Sequence, residues 1–440
     1  MTDKFHLGWF TNFAPPVWEG QFSGQNGATW ANGKFYQDMA RSLERARFDY
    51  IMLEDSSMVS DAFEGSSRAD LKHHLYAPKH DPLPLVPLLA AASKNLGIVA
   101  TASTSFYPPY QLARTMTTLD HLTGGRAGWN IVTSSEDRAA QNYGRATLEE
   151  HDSRYDRADE FVEVVDQLWN SWEPGALLMD RETGQYVDHT KVHPIHHDGT
   201  FYKVRGPLNA MPGPQRKPVI CQAGGSPRGR QFAAEHADTI IAQSRGVERM
   251  KAYRDDIRAR AAAAGRNPDD IKVLFIVSPL LAATDEEAQE IWTARTVSAE
   301  ANVERALAHL SALTEVDFSQ FDLDAPVPGD VTTNGHRTTL AEFLKLGDDG
   351  RTLREVAAGW NINAVDLVGS VDTVADQMGE VMAHVGGDGF LISGPMTRPY
   401  IGEVTEGLVP ALQARGLTRT DYLPAGADGA PTFRDNLLAF

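Results

Sequence analysis

Short apolar runs rich in β-branched residues alternate with longer stretches of helical periodicity along nearly the whole chain. The runs are HLGWFTNF (6–13), YIMLE (50–54), GIVATASTSF (97–106), RAGWNIVTS (126–134), PVICQAG (218–224), DTIIAQ (238–243), KVLFIVSPLL (272–281) and GFLIS (389–393). Helical patterns fill 35–47, 84–94, 109–121, 153–172, 227–236, 246–264 and 371–385. A strand followed by a helix and another strand gives a right-handed crossover and a parallel sheet. Eight such strands are the number that closes a (β/α)8 barrel, so a TIM-like barrel is the expected fold. An open, doubly wound sheet is the alternative, because a count of strands does not show closure.

Three segments exceed what a minimal barrel needs. Residues 56–83 read as a loop. Residues 173–217 read as a loop with room for a hairpin, and 314–351 are polar, turn-rich and broken by DAPVPGD. Loops of this length inside a compact domain are usually functional or disordered. The expectation is one barrel domain over 1–440, with the first two insertions flanking its C-terminal mouth. In barrels the loops after the strands build the active site at that mouth.

Charge and composition remove several function classes. The formal net charge is −18, which argues against nucleic acid and against a basic membrane-binding face. No apolar run approaches the ~20 residues that span a bilayer. Cys221 is the only cysteine, and the start MTDKFHLGWF lacks the features of a signal peptide, so the expected setting is cytoplasmic.

The densest functional signal is QAGGSPRGR, at the end of the fifth run. Gly224 and Gly225 allow close backbone approach, Ser226 can cap the following helix, and a helix start offers free N–H donors to an anion. A plain strand-to-helix turn with a serine cap explains the same residues. No Walker A lysine follows, and no G-x-G-x-x-G occurs, so a mononucleotide or sugar phosphate fits better than a dinucleotide. A second helix start lies in EEHDSRYDRADEFVEVVDQLWNSW, where Asp152 or Ser153 is the expected cap. His151 and Tyr155 fall together there, with Arg154 between them; Tyr155 heading the core face and Arg154 paired with a carboxylate is the structural alternative.

In the third run Thr101, Ser103 and Ser105 share one face, leaving space for a ligand if that face points inward. The fourth run brings Asn130, Thr133 and Ser134, and the second ends in Glu54-Asp55. Phe10, Phe13, Phe106 and Tyr107, at strand ends, are candidate pocket walls, with ordinary barrel-end packing an equal alternative. Histidine pairs at 73–74 and 196–197 lack metal-ligand spacing, so no metal is expected. No G-x-S-x-G elbow is present.

Several segments resemble the nitrilotriacetate and dibenzothiophene-sulfone monooxygenase group of the bacterial-luciferase-like flavin monooxygenases. They are NGKFYQDMARSLERARFDYIMLED, PPYQLARTMTTLDHLTGGRAGWNIVTS, HDSRYDRADEFVEVVDQLWNSW, HHDGTFYKVRGPLN, PVICQAGGSPRGRQFAAEHAD and TFRDNLLAF. The resemblance runs in order from about residue 6 to the C-terminus, and GRAGWNIVTS and HDSRYDRADEF are its most specific pieces. It implies a TIM-like barrel that uses reduced FMN and O2 to oxygenate a small organic substrate, with possible outcomes that include C–N, C–S or C–halogen cleavage. It also implies a separate NAD(P)H:flavin reductase and a homodimer or homotetramer. The implied flavin contacts fall on Asp55, Thr101, His151, Tyr155 and Ser226, with His151 the candidate catalytic residue. The FMN phosphate would then lie at Ser226 and Tyr155, rather than after the last two strands as in most phosphate-binding barrels. A deazaflavin-dependent dehydrogenase on the same barrel and a non-catalytic flavin-binding subunit are the rival readings.

Overall fold

A computed structural model describes residues 4–18, 23–297, 302–426 and 429–440. Its centre is a closed barrel of eight parallel strands. They are β1 (His6–Asn12), β2 (Tyr50–Glu54), β3 (Gly97–Ser103), β4 (Ala127–Val132), β5 (Val219–Gln222), β6 (Thr239–Ala242), β7 (Lys272–Val277) and β8 (Gly389–Ile392). Each strand pairs with its neighbour in sequence, and β8 returns to β1 with Trp9 opposite Ile392. Closure settles the choice between barrel and open sheet. All eight expected runs are present, several of them shorter than predicted. Beyond Ser103, for example, Phe106 and Tyr107 donate back to the Ser103 carbonyl and the chain leaves the sheet in a turn.

Around the barrel lie α1 (Lys34–Arg45), α2 (Leu85–Ala90), α3 (Pro109–Thr123), α4 (His151–Trp169), α5 (Pro227–His236), α6 (Val247–Ala263), α7 (Val371–Val385) and α8 (Val409–Ala414). The two-residue alternation of strands sorts the core into two layers. Trp9, Ile51, Leu53, Ile98, Trp129, Ile220, Phe275 and Phe390 pack outward under the helices. Tyr50, Met52, Val99, Val219, Cys221, Ile241, Leu274 and Leu391 fill the interior. By the same parity Thr101 and Asn130 point inward, above that apolar plug.

The chain's tail closes the N-terminal end of the barrel. The helix Phe433–Leu437 begins with a capping box at Thr432 and Asp435. It drives Phe433 among the inward residues, 5.6 Å from the Tyr50 ring. Glycines at 97 and 128 make room, since a Cβ would meet the Phe433 ring at 2.6 Å and 3.2 Å. The segment TFRDNLLAF is therefore the barrel floor.

The insertions differ from one another. Residues 56–83 carry the helix Arg68–His73, and 173–217 hold the antiparallel pair His197–Asp198 and Lys203–Val204. The stretch 314–351 is not the loop its composition predicts. It contains Arg337–Lys345, which with the flanking helices Val303–Thr314 and Leu353–Gly359 encloses a small core of Leu307, Leu310, Phe318, Leu340, Phe343, Leu353 and Val356. Arg337–Lys345 buries only Leu340 and Phe343, too little apolar periodicity to stand out from polar surroundings. Among the described residues no helix is long and apolar enough to cross a membrane.

Candidate functional site

β5 is entirely buried and ends at Gln222, and the backbone then turns through Gly224 and Gly225 into α5. Ser226 is the N-cap, with the Gly229 N–H donating to its Oγ at 3.0 Å and Pro227 at the first helical position. Packing demands the glycines. A Cβ on Gly224 would stand 2.5 Å from the Gly229 carbonyl oxygen, one on Gly225 2.6 Å from Thr338 Oγ1, and one on Gly229 2.8 Å from the Tyr155 hydroxyl. Among the described residues no acceptor takes the N–H of Gly225, Ser226 or Arg228. Three unpaired donors at a helix start, with its partial positive charge, make a cradle of the kind that suits an anion.

The first turn of α4 faces this cradle. Asp152 and Ser153, the expected caps, lie inside the helix, and the N-cap Glu150 provides no side-chain cap. The cap comes from Asn334 in the β7–β8 insertion, whose Oδ1 accepts from the His151 N–H at 3.0 Å. Asn334 Nδ2 donates to the Glu149 carbonyl at 3.2 Å. Among the described residues Arg154 pairs with no carboxylate. It is buried and donates to the main-chain oxygens of Glu149 (2.6 Å) and Asn334 (3.0 Å). His151 Nδ1 lies 2.6 Å from Asp152 Oδ1. Burial nevertheless holds its pKa below the ordinary histidine value, with Arg337 and Arg154 adding to the effect, so the ring is neutral at pH 7. Tyr155 is buried, with its ring 5.3 Å from His151 and 5.5 Å from Phe232 of α5. Arg228 lies over the Tyr155 ring and binds Asp156 and Asp159, tying α4 to α5. His236 and Glu235 also approach Asp159, a grouping with metal-ligand proximity, but the Arg228 guanidinium already occupies Asp159.

Inside the mouth, Thr101 Oγ1 donates to the Leu53 carbonyl at 2.8 Å and accepts from Asn130 Nδ2 at 2.9 Å. Asn130 Oδ1 and Gln222 Oε1 are buried and have no hydrogen-bond partner among the described residues. Such atoms are costly unless a ligand or water meets them. Beside them, Lys79 Nζ is paired with Glu54 Oε2 at 2.8 Å. Burial pushes the neighbouring Asp55 carboxyl up to about 7; the negative charges of Glu54 and Asp81 add to the shift and Lys79 opposes it. Thr133 and Ser134 fall on the rim, where Ser134 Oγ is 2.7 Å from Ser103 Oγ.

An aromatic row, here called the roof, adjoins the Glu54–Lys79 pair. Lys79 lies over the Tyr76 ring, Tyr76 stands 5.8 Å from His309, and His309 stands 5.5 Å from Trp360. Burial pushes His309 down to about 4. Phe106 stacks on Tyr143 at 4.3 Å, and Phe10 borders the interior apolar cluster. Tyr107 is partly buried, and burial raises its pKa, with the nearby Asp81, Tyr143 and Asp55 adding to the shift. Phe13 instead sits between Trp30, Tyr36 and His80, so it packs structure rather than lining the mouth.

The five sequence-predicted site residues thus divide between two places. Tyr155 and Ser226 converge on the glycine turn with His151 beside them, and Thr101 and Asp55 belong to the barrel mouth. His309, Tyr76, Asn334 and Thr338 complete the surroundings and carry no motif that would have marked them.

The family profile described as luciferase-like monooxygenase matches residues 5–389. The chain is 38% identical over 406 residues to the dibenzothiophene-sulfone monooxygenase of Rhodococcus erythropolis, covering 89% of this chain and 88% of that protein. It is 36% identical over 419 residues to nitrilotriacetate monooxygenase component A of Aminobacter aminovorans, covering 92% and 89%. Among solved structures, a riboflavin lyase with modified FMN and riboflavin superposes with a TM-score of 0.88 at 31% identity, covering 100% of this chain and 96% of that one. A barrel of this topology, matched in sequence over most of its length, places the chain in the luciferase-like monooxygenase family.

Proposed function

We propose that this protein is the oxygenating component of a two-component system. It receives reduced FMN from a separate NAD(P)H:flavin reductase and oxygenates a small organic substrate with O2. The observation that carries the reading is the glycine turn. Three unpaired N–H groups, a capping serine and the Tyr155 hydroxyl meet there, beside a mouth that holds the unpartnered Asn130 Oδ1. These features fit FMN: the cradle suits its 5′-phosphate, and the mouth offers an acceptor for a ring N–H.

Reduced flavin, when bound, supplies the electrons that let one atom of O2 enter the substrate while the other leaves as water. The protein's share is binding, orientation and water exclusion. Ser226 Oγ and Tyr155 would hold the phosphate with the turn N–H groups. Thr101 fixes the Asn130 amide through Nδ2, leaving Oδ1 directed to a ligand. Asp55, titrating near neutrality, is placed to exchange a proton at the mouth. His151, neutral and beside Tyr155, is the other candidate for moving a proton. Tyr76, His309 and Trp360 form the roof that keeps water out. The aromatic character of that roof, with Phe10 and Phe106 at the strand ends, favours an apolar substrate. The curated relatives are named for sulfone and aminocarboxylate substrates, and C–S or C–N cleavage after oxygenation belongs to this proposal. A cytoplasmic homodimer or homotetramer belongs to it as well.

Anaerobic titration with reduced FMN, followed by flavin fluorescence, tests the binding half. Saturable binding is expected, weakened about tenfold in Tyr155→Phe, as for loss of one charge-assisted hydrogen bond. Binding of a reduced deazaflavin in place of reduced FMN would turn the reading toward a dehydrogenase. Failure to bind either would refute it.

A further inference from the structure

The turn that presents the free N–H groups is braced from behind. Tyr253 of α6 is buried, and its hydroxyl donates to the Gly224 carbonyl oxygen at 2.5 Å. Arg230 of α5 donates from Nε to the Gly225 carbonyl oxygen at 2.9 Å. The two side chains support each other, since the guanidinium lies over the Tyr253 ring at 4.6 Å. Arg230 Nη1 also reaches Asp256 Oδ2 at 3.1 Å, and Asp256 in turn takes Arg260 at 2.9 Å. One strut thus runs from α6 through α5 to two consecutive peptide groups of the turn.

Peptide planarity gives the strut a consequence. In a trans peptide the carbonyl of one residue and the N–H of the next point in opposite directions. Both peptides of the turn are trans. Drawing the Gly224 carbonyl toward α6 therefore aims the Gly225 N–H away from α6. Holding the Gly225 carbonyl on Arg230 does the same for the Ser226 N–H. Glycine restrains its own backbone less than any other residue, so two glycines in series need outside bonds to fix these planes. A tyrosine hydroxyl buried in a helix-to-barrel interface needs an acceptor. Here it takes the one whose orientation decides where the cradle points.

We propose that Tyr253 and Arg230 are positioning residues for the cradle: they pin the Gly224 and Gly225 carbonyls so that the next N–H groups face the anion, and thereby set the preference for a phosphorylated over a dephosphorylated flavin. The inference rests on the flavin reading above. Neither residue touches the ligand; each acts through the backbone.

Tyr253→Phe tests it, because the ring that packs under Arg230 stays and only the hydroxyl goes. Reduced FMN and reduced riboflavin are titrated anaerobically into wild type and variant. For wild type, FMN is expected to bind more tightly than riboflavin. In the variant the FMN Kd is expected to rise about tenfold, the effect of one misdirected donor, while riboflavin changes less than about twofold. Arg230→Lys, which keeps a cation near Asp256 but loses the Nε bond, is expected to show the same selective loss. Equal weakening toward both flavins would assign these residues a merely structural role, and unchanged FMN binding would remove any role; either result overturns the inference alone. Wild type with no preference between the two flavins would overturn the phosphate reading, and the inference with it.

Discussion

Replacing Asn334 by alanine should loosen two parts of the molecule far apart in sequence. The side chain caps α4 by accepting from the His151 N–H at 3.0 Å, and it donates to the Glu149 carbonyl at 3.2 Å. Losing a helix N-cap costs about 1 kcal/mol, and a second neutral hydrogen bond is worth roughly the same. Asn334 is exposed, so water can take over part of both roles, and a total near 1 kcal/mol is expected. That energy corresponds to about a fivefold rise in the local opening equilibrium. The Arg154 bond to the Asn334 main-chain oxygen survives the change, so the insertion remains attached at one point. Hydrogen exchange read by mass spectrometry resolves the outcome. Peptides covering 149–156 and 334–345 are expected to exchange about fivefold faster, while the floor helix Phe433–Leu437 keeps its wild-type rate. Asn334→Asp keeps the acceptor and should fall between wild type and alanine. Unchanged exchange at the start of α4, or acceleration spread evenly over the barrel, would refute the claim that this residue fastens the insertion to the site.

Asp55 should make stability depend on pH in a defined direction. Its carboxyl titrates near 7 in the folded chain against an ordinary 3.8, so its favourable contribution is complete below the ordinary value and is lost as pH rises through about 7. Urea midpoints of wild type are therefore expected to fall across that window more than those of Asp55→Asn. Parallel curves would show that the carboxyl is not buried as described, and Glu315, which titrates in the same window, is common to both proteins. Phe433→Ala should cost about 3–5 kcal/mol in chemical denaturation, because a fully buried ring leaves a cavity in the barrel floor. A loss under about 1 kcal/mol would mean that the tail does not seal the barrel.

The fold was largely legible because each strand is a short, largely apolar run bounded by turn residues, and barrel strands buried on both faces read as continuous apolar stretches. The glycine turn and the start of α4 were legible for a related reason: close packing admits only glycine at 224, 225 and 229, and a helix start has local chemistry. The roof was not. His309 sits on an ordinary amphipathic helix, and nothing around it marks a residue destined to meet Tyr76. The α4 cap was misplaced onto Asp152 or Ser153 because local rules search adjacent residues, whereas the real partner lies 183 residues further on. The adjacent acids Glu54 and Asp55 were visible, but the separation of their roles depends on Lys79, which pairs with Glu54 at 2.8 Å and leaves Asp55 to burial. Phe13, a strand-end aromatic like Phe10, faces Trp30 and Tyr36 because the chain after β1 bends outward.

Holding reduced FMN and controlling its reaction with oxygen is the task proposed for this barrel. Stopped-flow mixing of the anaerobic protein–reduced FMN complex with oxygenated buffer tests it most directly. Oxidised-flavin absorbance is expected to lag behind oxygen consumption, with the lag shortened in variants that open the roof, such as Trp360→Ala. Oxidation of bound reduced FMN in a single phase, at the rate of free reduced FMN and unaffected by the roof, would contradict it.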